Sequence, residues 1–136
     1  MVRREALNWL KEALADFRRA SRSFEDGDYA LSTFMAQQAC EKAFKAAYLA
    51  LARSAYPKTN DLVLLYNGLS RYLDLPEEVV EYLPEVSQYY TIARYPNAGL
   101  ELPSESISKG QASRAIRIAK AVVTTIERRI KEAGDP

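Results

Sequence analysis

A segment that is rich in alanine and free of glycine and proline runs from about Tyr29 to Ser54. Alanine has the highest helix propensity of all residues, whereas glycine and proline are the residues that most often interrupt a helix. At about 1.5 Å per residue, a helix of this length extends for roughly 40 Å. The segment therefore predicts a long central helix against which the rest of the chain has to pack.

Helical periodicity also marks the two ends of the chain. In 4–25 and again in 108–133, apolar residues recur at steps of three and four, which places them on one face of a helix. Gly27 suits a tight turn between the first helix and the central one, and Asp28 is a suitable N-cap for the central helix. Both terminal segments are therefore predicted to be amphipathic helices.

Two shorter helices are predicted in the middle of the chain. The first lies in 58–73, with Thr59 or Asn60 as its N-cap and Asp61 in its first turn. For that reason capping is a sufficient explanation for the polar residues at this point. The second lies in 74–94.

Proline and its neighbours set the expected limits of the helix in 74–94. Asp74 is the predicted N-cap, and Pro84 is expected to kink or break the helix. The tyrosine before Pro96 is pushed out of the α region, so the helix is predicted to end at Arg94.

No segment shows the pattern of a β-strand. The helical segments predict an all-α fold, an antiparallel helical bundle of about five helices that forms a single domain over residues 1–136. The loop over 95–107 is longer than usual for a compact domain, which indicates a function or mobility.

The chemistry open to the chain is limited by the absence of histidine from its 136 residues. Without imidazole there is no Ser/His or Cys/His pair and no usual general base near neutral pH, so we predict no catalytic residues and no metal site. The net charge of +1 gives no overall attraction to nucleic acid or membrane, and no apolar run approaches the roughly 20 residues of a membrane span. Because Cys40 is the single cysteine, a reducing compartment is indicated, and the expected location is cytoplasmic.

A group of polar residues interrupts one side of the central helix, while the opposite side, which includes Cys40, is apolar. Its members fall within one sector of the helix: Gln38, Glu41, Lys42 and Lys45. They can form a solvated stripe with a Glu41–Lys45 pair four residues apart. They can also face a second subunit or a ligand groove, where the lysines would offer cationic donors to phosphate.

An arginine surrounded by tyrosines ends the helix in 74–94. Arg94 suits the negative end of the helix dipole, which is an ordinary reason for its position. An arginine beside Tyr90 and Tyr95 is also a common way to hold a flat, anionic ligand through paired hydrogen bonds and stacking. Pro96 and Asn97 complete this element, and both interpretations remain open for it.

Four segments in order along the chain resemble the HEPN domain family. They are "NWLKEALADFRRA" (8–20), "DYALSTFMAQQACEKAFKAAYLA" (28–50), "YPKTNDLVLL" (56–65) and "ARYPN" (93–97). Asn60 stands where the family usually has histidine, and Asn97 stands where it usually has aspartate. The resemblance covers almost the whole chain.

The resemblance implies a short helical bundle that commonly forms a homodimer. Members are often encoded beside a minimal nucleotidyltransferase, some belong to toxin–antitoxin pairs, and nucleotide binding gave the family its name. Many members resemble ribonucleases that use an arginine followed a few residues later by a histidine. No histidine follows Arg94, so RNA is a less favoured partner than a nucleotide or a protein.

The leading interpretation is a non-catalytic HEPN-type protein that dimerises and binds a nucleotide, such as ATP or GTP, or a nucleotidyltransferase partner. Two alternatives stay open, a ribonuclease that works without histidine and a purely structural dimeric adaptor. The predicted binding or interface residues are Gln38, Glu41, Lys42, Lys45, Asn60, Asp61, Tyr90, Arg94, Tyr95, Pro96 and Asn97.

Overall fold

The structure of the chain, a computed structural model, describes residues 3–134, and all the regular secondary structure in this range is helical. Six α-helices and one π-helical turn follow one another in this part of the chain. They are α1 (Arg4–Glu25), α2 (Tyr29–Ala47), the π-turn (Tyr48–Ala52), α3 (Leu62–Asn67), α4 (Glu77–Ile92), α5 (Pro103–Ser106) and α6 (Lys109–Gly134). The predicted all-α bundle is confirmed, and α5 is a short additional helix within the predicted loop over 95–107.

The central helix α2 packs against α1, α4 and α6. Small side chains allow this close approach, because an alanine adds little bulk between two helix axes. The fully buried alanines include Ala13 and Ala20 on α1, and Ala36, Ala39 and Ala43 on α2. Cys40 is buried in the same core, as expected from its place on the apolar side of the central helix, and this burial raises the pKa of its thiol.

The two ends of α2 differ in how they turn the chain. At the start, the Asp28 carboxylate accepts a hydrogen bond from the Leu31 amide at 3.1 Å, and Gly27 has φ of 79°, as its predicted turn requires. At the end, the helix widens into the π-turn and stops at Arg53, which has a left-handed conformation. Beyond it the chain returns to α1, where the Tyr56 and Trp9 rings meet edge to face at 5.4 Å.

The predicted limits of the two middle helices require correction, and α3 ends at Asn67 instead of near residue 73. The N-cap of α3 is Asp61 instead of Thr59 or Asn60, because the Asp61 carboxylate accepts from the amides of Val63 and Leu64. Asp74 does not cap α4, whose N-cap position is Pro76. These corrections shorten both helices at their start.

Pro84 lies inside α4 and neither breaks nor ends it, contrary to the prediction. The proline is exposed, whereas Val79, Leu83 and Val86 are buried on the opposite side. Burial of this apolar side outweighs the loss of one backbone hydrogen bond. The helix ends at Ile92, two residues before the predicted Arg94, and Ala93 is its C-cap.

The last helix, α6, covers the core from its other side. It buries the predicted apolar stripe, and Arg114 joins it to Glu85 of α4 through two hydrogen bonds of 2.7 and 2.5 Å. Between Arg4 and Gly134, none of the helices has the length and apolar character needed to cross a membrane.

Candidate functional site

An open groove lies where α2, the segment before α3 and the last turn of α4 meet. Its volume is about 250 Å³, and the residues that line it are Glu41, Lys45, Lys58, Thr59, Asn60 and Tyr90. This set, called here the α2 groove, contains four of the residues predicted from the sequence, two from α2 and one from each of two distant segments. The fold therefore brings part of the polar group on α2 next to Tyr90.

Lys45 is held tightly at one side of the α2 groove. Its ammonium nitrogen lies 2.9 Å from a carboxylate oxygen of Glu41, as the spacing of four residues predicts. The same nitrogen lies 5.4 Å from the centre of the Trp9 ring and 5.3 Å from that of Tyr56. Only 12% of the Lys45 side chain is exposed. Its charge is thus largely satisfied within the protein.

Gln37 connects α2 to the opposite side of the groove. Its side chain is fully buried, and its amide nitrogen donates to the Asn60 carbonyl at 3.0 Å. Its amide oxygen accepts a hydrogen bond of 2.8 Å from Gln38. Gln37 is not among the residues predicted for the site, although an amide on an apolar helix side is a signal that a buried partner exists.

Arg94 lies just beyond the end of α4 and is enclosed by aromatic rings. Its Cζ atom lies 4.4 Å from the centre of the Tyr90 ring, 4.7 Å from that of Tyr95 and 4.8 Å from that of Phe34. Its Nε donates to the Tyr90 carbonyl at 2.7 Å. The predicted arginine–tyrosine group is therefore assembled, and Phe34 is a further member of it.

The outer nitrogens of Arg94 remain available, since the residue is exposed and no carboxylate within residues 3–134 forms an ion pair with it. The aromatic rings fix the plane of the guanidinium without using its charge. Lys58 is likewise exposed at the α2 groove and has no ion pair with another described residue. These two residues are the unpaired cations at and beside the groove.

Lys42 does not line the α2 groove, although the sequence groups it with Glu41 and Lys45. Its ammonium nitrogen points to α1, where it lies 2.6 Å from a carboxylate oxygen of Asp16. The other oxygen of Asp16 lies 2.6 Å from Arg19. Asp16 is only 1% exposed, and such a carboxylate requires cationic partners. Because of this requirement Lys42 belongs to the α1–α2 contact.

The remaining predicted residues lie outside the α2 groove. Asp61 lines a neighbouring open depression of about 380 Å³ together with Asn60, Val63, Pro84, Ser87 and Gln88. Pro96 and Asn97 are in an exposed turn, where the Asn97 amide donates to the Leu100 carbonyl at 2.9 Å. Gln38 contacts Gln37 and Glu41 behind the groove. Arg94, Tyr95, Pro96 and Asn97 line neither depression, and Arg94 adjoins the α2 groove through its contact with the Tyr90 ring.

The fold and this groove together define a helical bundle with an aromatic, cationic site beside its central helix. The HEPN domain family model matches residues 6–129, so the chain belongs to the HEPN domain family. The resemblance noted from the sequence is confirmed by this match.

Two solved structures are similar to the chain over nearly their whole length. TT1696 from Thermus thermophilus is 30% identical and has a TM-score of 0.84, with 93% of this chain and 99% of that chain covered. ST0689, an archaeal HEPN homologue, is 22% identical with a TM-score of 0.76, and 94% of this chain and 99% of that chain are covered. The second similarity concerns the fold alone. No curated protein matches the chain.

Proposed function

We propose that the protein is a non-catalytic HEPN protein whose α2 groove binds a nucleotide such as ATP or GTP. The observation that carries this proposal is the state of Arg94 beside the groove. Three aromatic rings orient its guanidinium, and no described carboxylate neutralises the charge of that guanidinium. An oriented guanidinium with free nitrogens is suited to paired hydrogen bonds with phosphate oxygens.

The polarity of the α2 groove is consistent with a ligand that is anionic at one end. Lys58 adds a second cation, whereas the positive charge of Lys45 is balanced by Glu41. Tyr90 supplies a half-buried aromatic surface at the same place. Among the described residues, the phosphate donors are therefore Arg94 and Lys58, and Lys45 supports the shape of the groove.

The proposal assigns no reaction to the groove. The chain contains no histidine, and its one thiol, on Cys40, is buried with its pKa raised by desolvation. The Thr59 hydroxyl oxygen, which lines the groove, accepts a hydrogen bond from the Asp61 amide. Binding requires none of these groups to exchange a proton.

Homodimerisation and a minimal nucleotidyltransferase partner, as in a toxin–antitoxin pair, belong to the same proposal. Membership of the HEPN family supports them, as do large apolar side chains exposed on the surface of the bundle. Leu31 is 45% exposed on α2, and Tyr95 is 50% exposed beside Arg94. Sedimentation of the purified 15.3 kDa chain at twice its mass is the expected result, and a monomer at all concentrations would contradict the dimer.

Isothermal titration calorimetry with ATP and GTP tests the nucleotide site. We expect Arg94→Ala to weaken binding by about tenfold or more, because charged hydrogen bonds of this kind contribute about 1.5–3 kcal/mol. Arg71→Ala is the matched control, since Arg71 is exposed and lines neither depression. Absence of binding to the unmodified protein, or equal affinity in both variants, would refute the proposed site.

A further inference from the structure

We propose that Asn60 contacts the nucleoside part of the bound nucleotide and that Gln37 is the residue that positions it. This inference rests on the proposed nucleotide site and assigns a direction to the ligand within it. The phosphates lie at the Lys58 and Arg94 end, and the nucleoside lies beyond Asn60, in the depression that Val63 and Pro84 help to line.

Asn60 is the one residue that lines both the α2 groove and the neighbouring depression. The α2 groove alone, at about 250 Å³, is smaller than the roughly 300–1,000 Å³ of most small-molecule sites. The neighbouring depression adds about 380 Å³. The two spaces together therefore fall within the usual range, and a ligand that occupies both has to pass Asn60.

The position of Asn60 is fixed through its backbone while its side chain stays free. Its backbone carbonyl accepts the hydrogen bond from the fully buried Gln37 amide, at 3.0 Å. Its exposed carboxamide has no hydrogen bond to another residue within 3–134. A carboxamide offers both donors and acceptors, so it can bind a sugar hydroxyl or the edge of a base.

The charges of the two spaces decide the direction of the ligand. In the α2 groove Glu41 and Lys45 neutralise each other, Lys58 adds a positive charge, and Arg94 stacks on Tyr90 beside it. The neighbouring depression is lined by the carboxylate of Asp61. A phosphate is repelled by Asp61 and attracted by the cations. Val63, Pro84 and Gln88 offer instead an apolar surface and an amide, which suit a neutral, flat base.

The test compares a nucleotide with inorganic triphosphate, which carries the phosphates alone. The unmodified protein is expected to bind ATP or GTP and, more weakly, triphosphate. We expect Asn60→Ala to weaken nucleotide binding about tenfold and to leave triphosphate binding within about twofold. Arg94→Ala should weaken both ligands, and Asn67→Ala, an exposed residue outside both spaces, should weaken neither.

Gln37→Met tests the positioning role, since methionine has a similar volume but no amide donor. Although Gln37 does not line either space, we expect the same selective loss of nucleotide over triphosphate as in Asn60→Ala. General damage to the fold would weaken both ligands equally, and circular dichroism reports the folded fraction. The Asn60→Ala variant changes an exposed side chain, so the inference stays testable even where Gln37→Met does not fold.

The outcomes separate this inference from the nucleotide site itself. If Asn60→Ala changed neither affinity, or both equally, the inference would be overturned while the effect of Arg94→Ala still supported the site. Triphosphate that failed to bind the unmodified protein, with the nucleotide still bound, would overturn the proposed direction of the ligand. Failure of the unmodified protein to bind any nucleotide would overturn both.

Discussion

Three cations near the central helix have different tasks because their surroundings differ. Lys42 neutralises the buried Asp16, and Lys45 is paired with Glu41 between two aromatic rings. Arg94 is oriented by aromatic rings but keeps its charge unpaired among the described residues. A basic residue at a groove is a candidate for ligand binding only when its own protein has not already satisfied its charge.

The pair of Lys42 and Asp16 predicts a strong effect on stability and none on binding. Lys42→Met leaves one oxygen of a carboxylate that is 1% exposed without its cation, although Arg19 still reaches the other. We expect the free energy of unfolding to fall by about 3 kcal/mol, as measured by urea denaturation. Lys120→Met, on an exposed part of α6, serves as the control.

Nucleotide affinity of the Lys42→Met variant, measured where it remains folded, should match that of the unmodified protein. A loss of affinity without a loss of stability would contradict the assignment of Lys42 to the α1–α2 contact.

The different roles of these cations could not be predicted from the sequence, because spacing along a helix fixes the direction of a side chain only to within a wide sector. Asp16 decides the orientation of Lys42, and its burial depends on how α1 packs against α2. The signal was present in the small residues Ala13 and Ala20, which lie on either side of Asp16 at helical spacing and mark the true contact face.

At the scale of elements, helix α4 carries Tyr90 at its end and is fastened to α6. Arg114 of α6 donates two hydrogen bonds to Glu85 and also lies 5.4 Å from the centre of the Tyr82 ring. Tyr89 is buried between the same helices, and burial raises its pKa to about 12. This contact fixes the register of α4 and thereby the place of Tyr90 at the groove.

The contact between Glu85 and Arg114 predicts a dependence of stability on pH. Hydrogen bonds from Arg114 lower the pKa of the Glu85 carboxyl below its ordinary value of 4.5 in spite of partial burial. Its stabilising contribution is therefore present above that ordinary value and is lost as the pH falls through the lower pKa of the folded state. At neutral pH we expect Glu85→Gln to reduce the free energy of unfolding by about 1 kcal/mol.

Urea denaturation over a series of pH values checks this dependence. The stabilities of Glu85→Gln and the unmodified protein should converge as the pH falls below the ordinary value of the glutamate. A difference that stayed constant down to the lowest pH at which both proteins fold would show that Glu85 contributes no titrating interaction.

At the scale of the whole molecule, the all-α bundle and the family could be predicted from the sequence. Helical periodicity and the alanine-rich central segment are local signals, and they sufficed for α1, α2 and α6. Pro84 misled the prediction because a local preference for breaking the helix is overruled by burial of Leu83 and Val86. The π-turn depends on packing beyond its own sequence, and so does the bond between Gln37 and Asn60.

The groove is likewise a property of the whole molecule, because Glu41, Asn60 and Tyr90 belong to three separate segments. The sequence named each of them without showing that they meet. Lys58 could not be predicted as a site residue and occurs only within the segment 56–65 that resembles the family, because a single lysine in a loop forms no recognisable pattern. Assembly of the candidate site therefore follows from the packing of α2 against α4.

The most direct measurement of the central claim is a map of the amide shifts in heteronuclear NMR spectra during titration with ATP or GTP. The account predicts shifts that saturate and that are centred on 58–61 and on 90–95, with little change around Asn8 and Glu12, which line a separate depression together with Lys42. Shifts centred on that separate depression, or none at millimolar nucleotide, would contradict it.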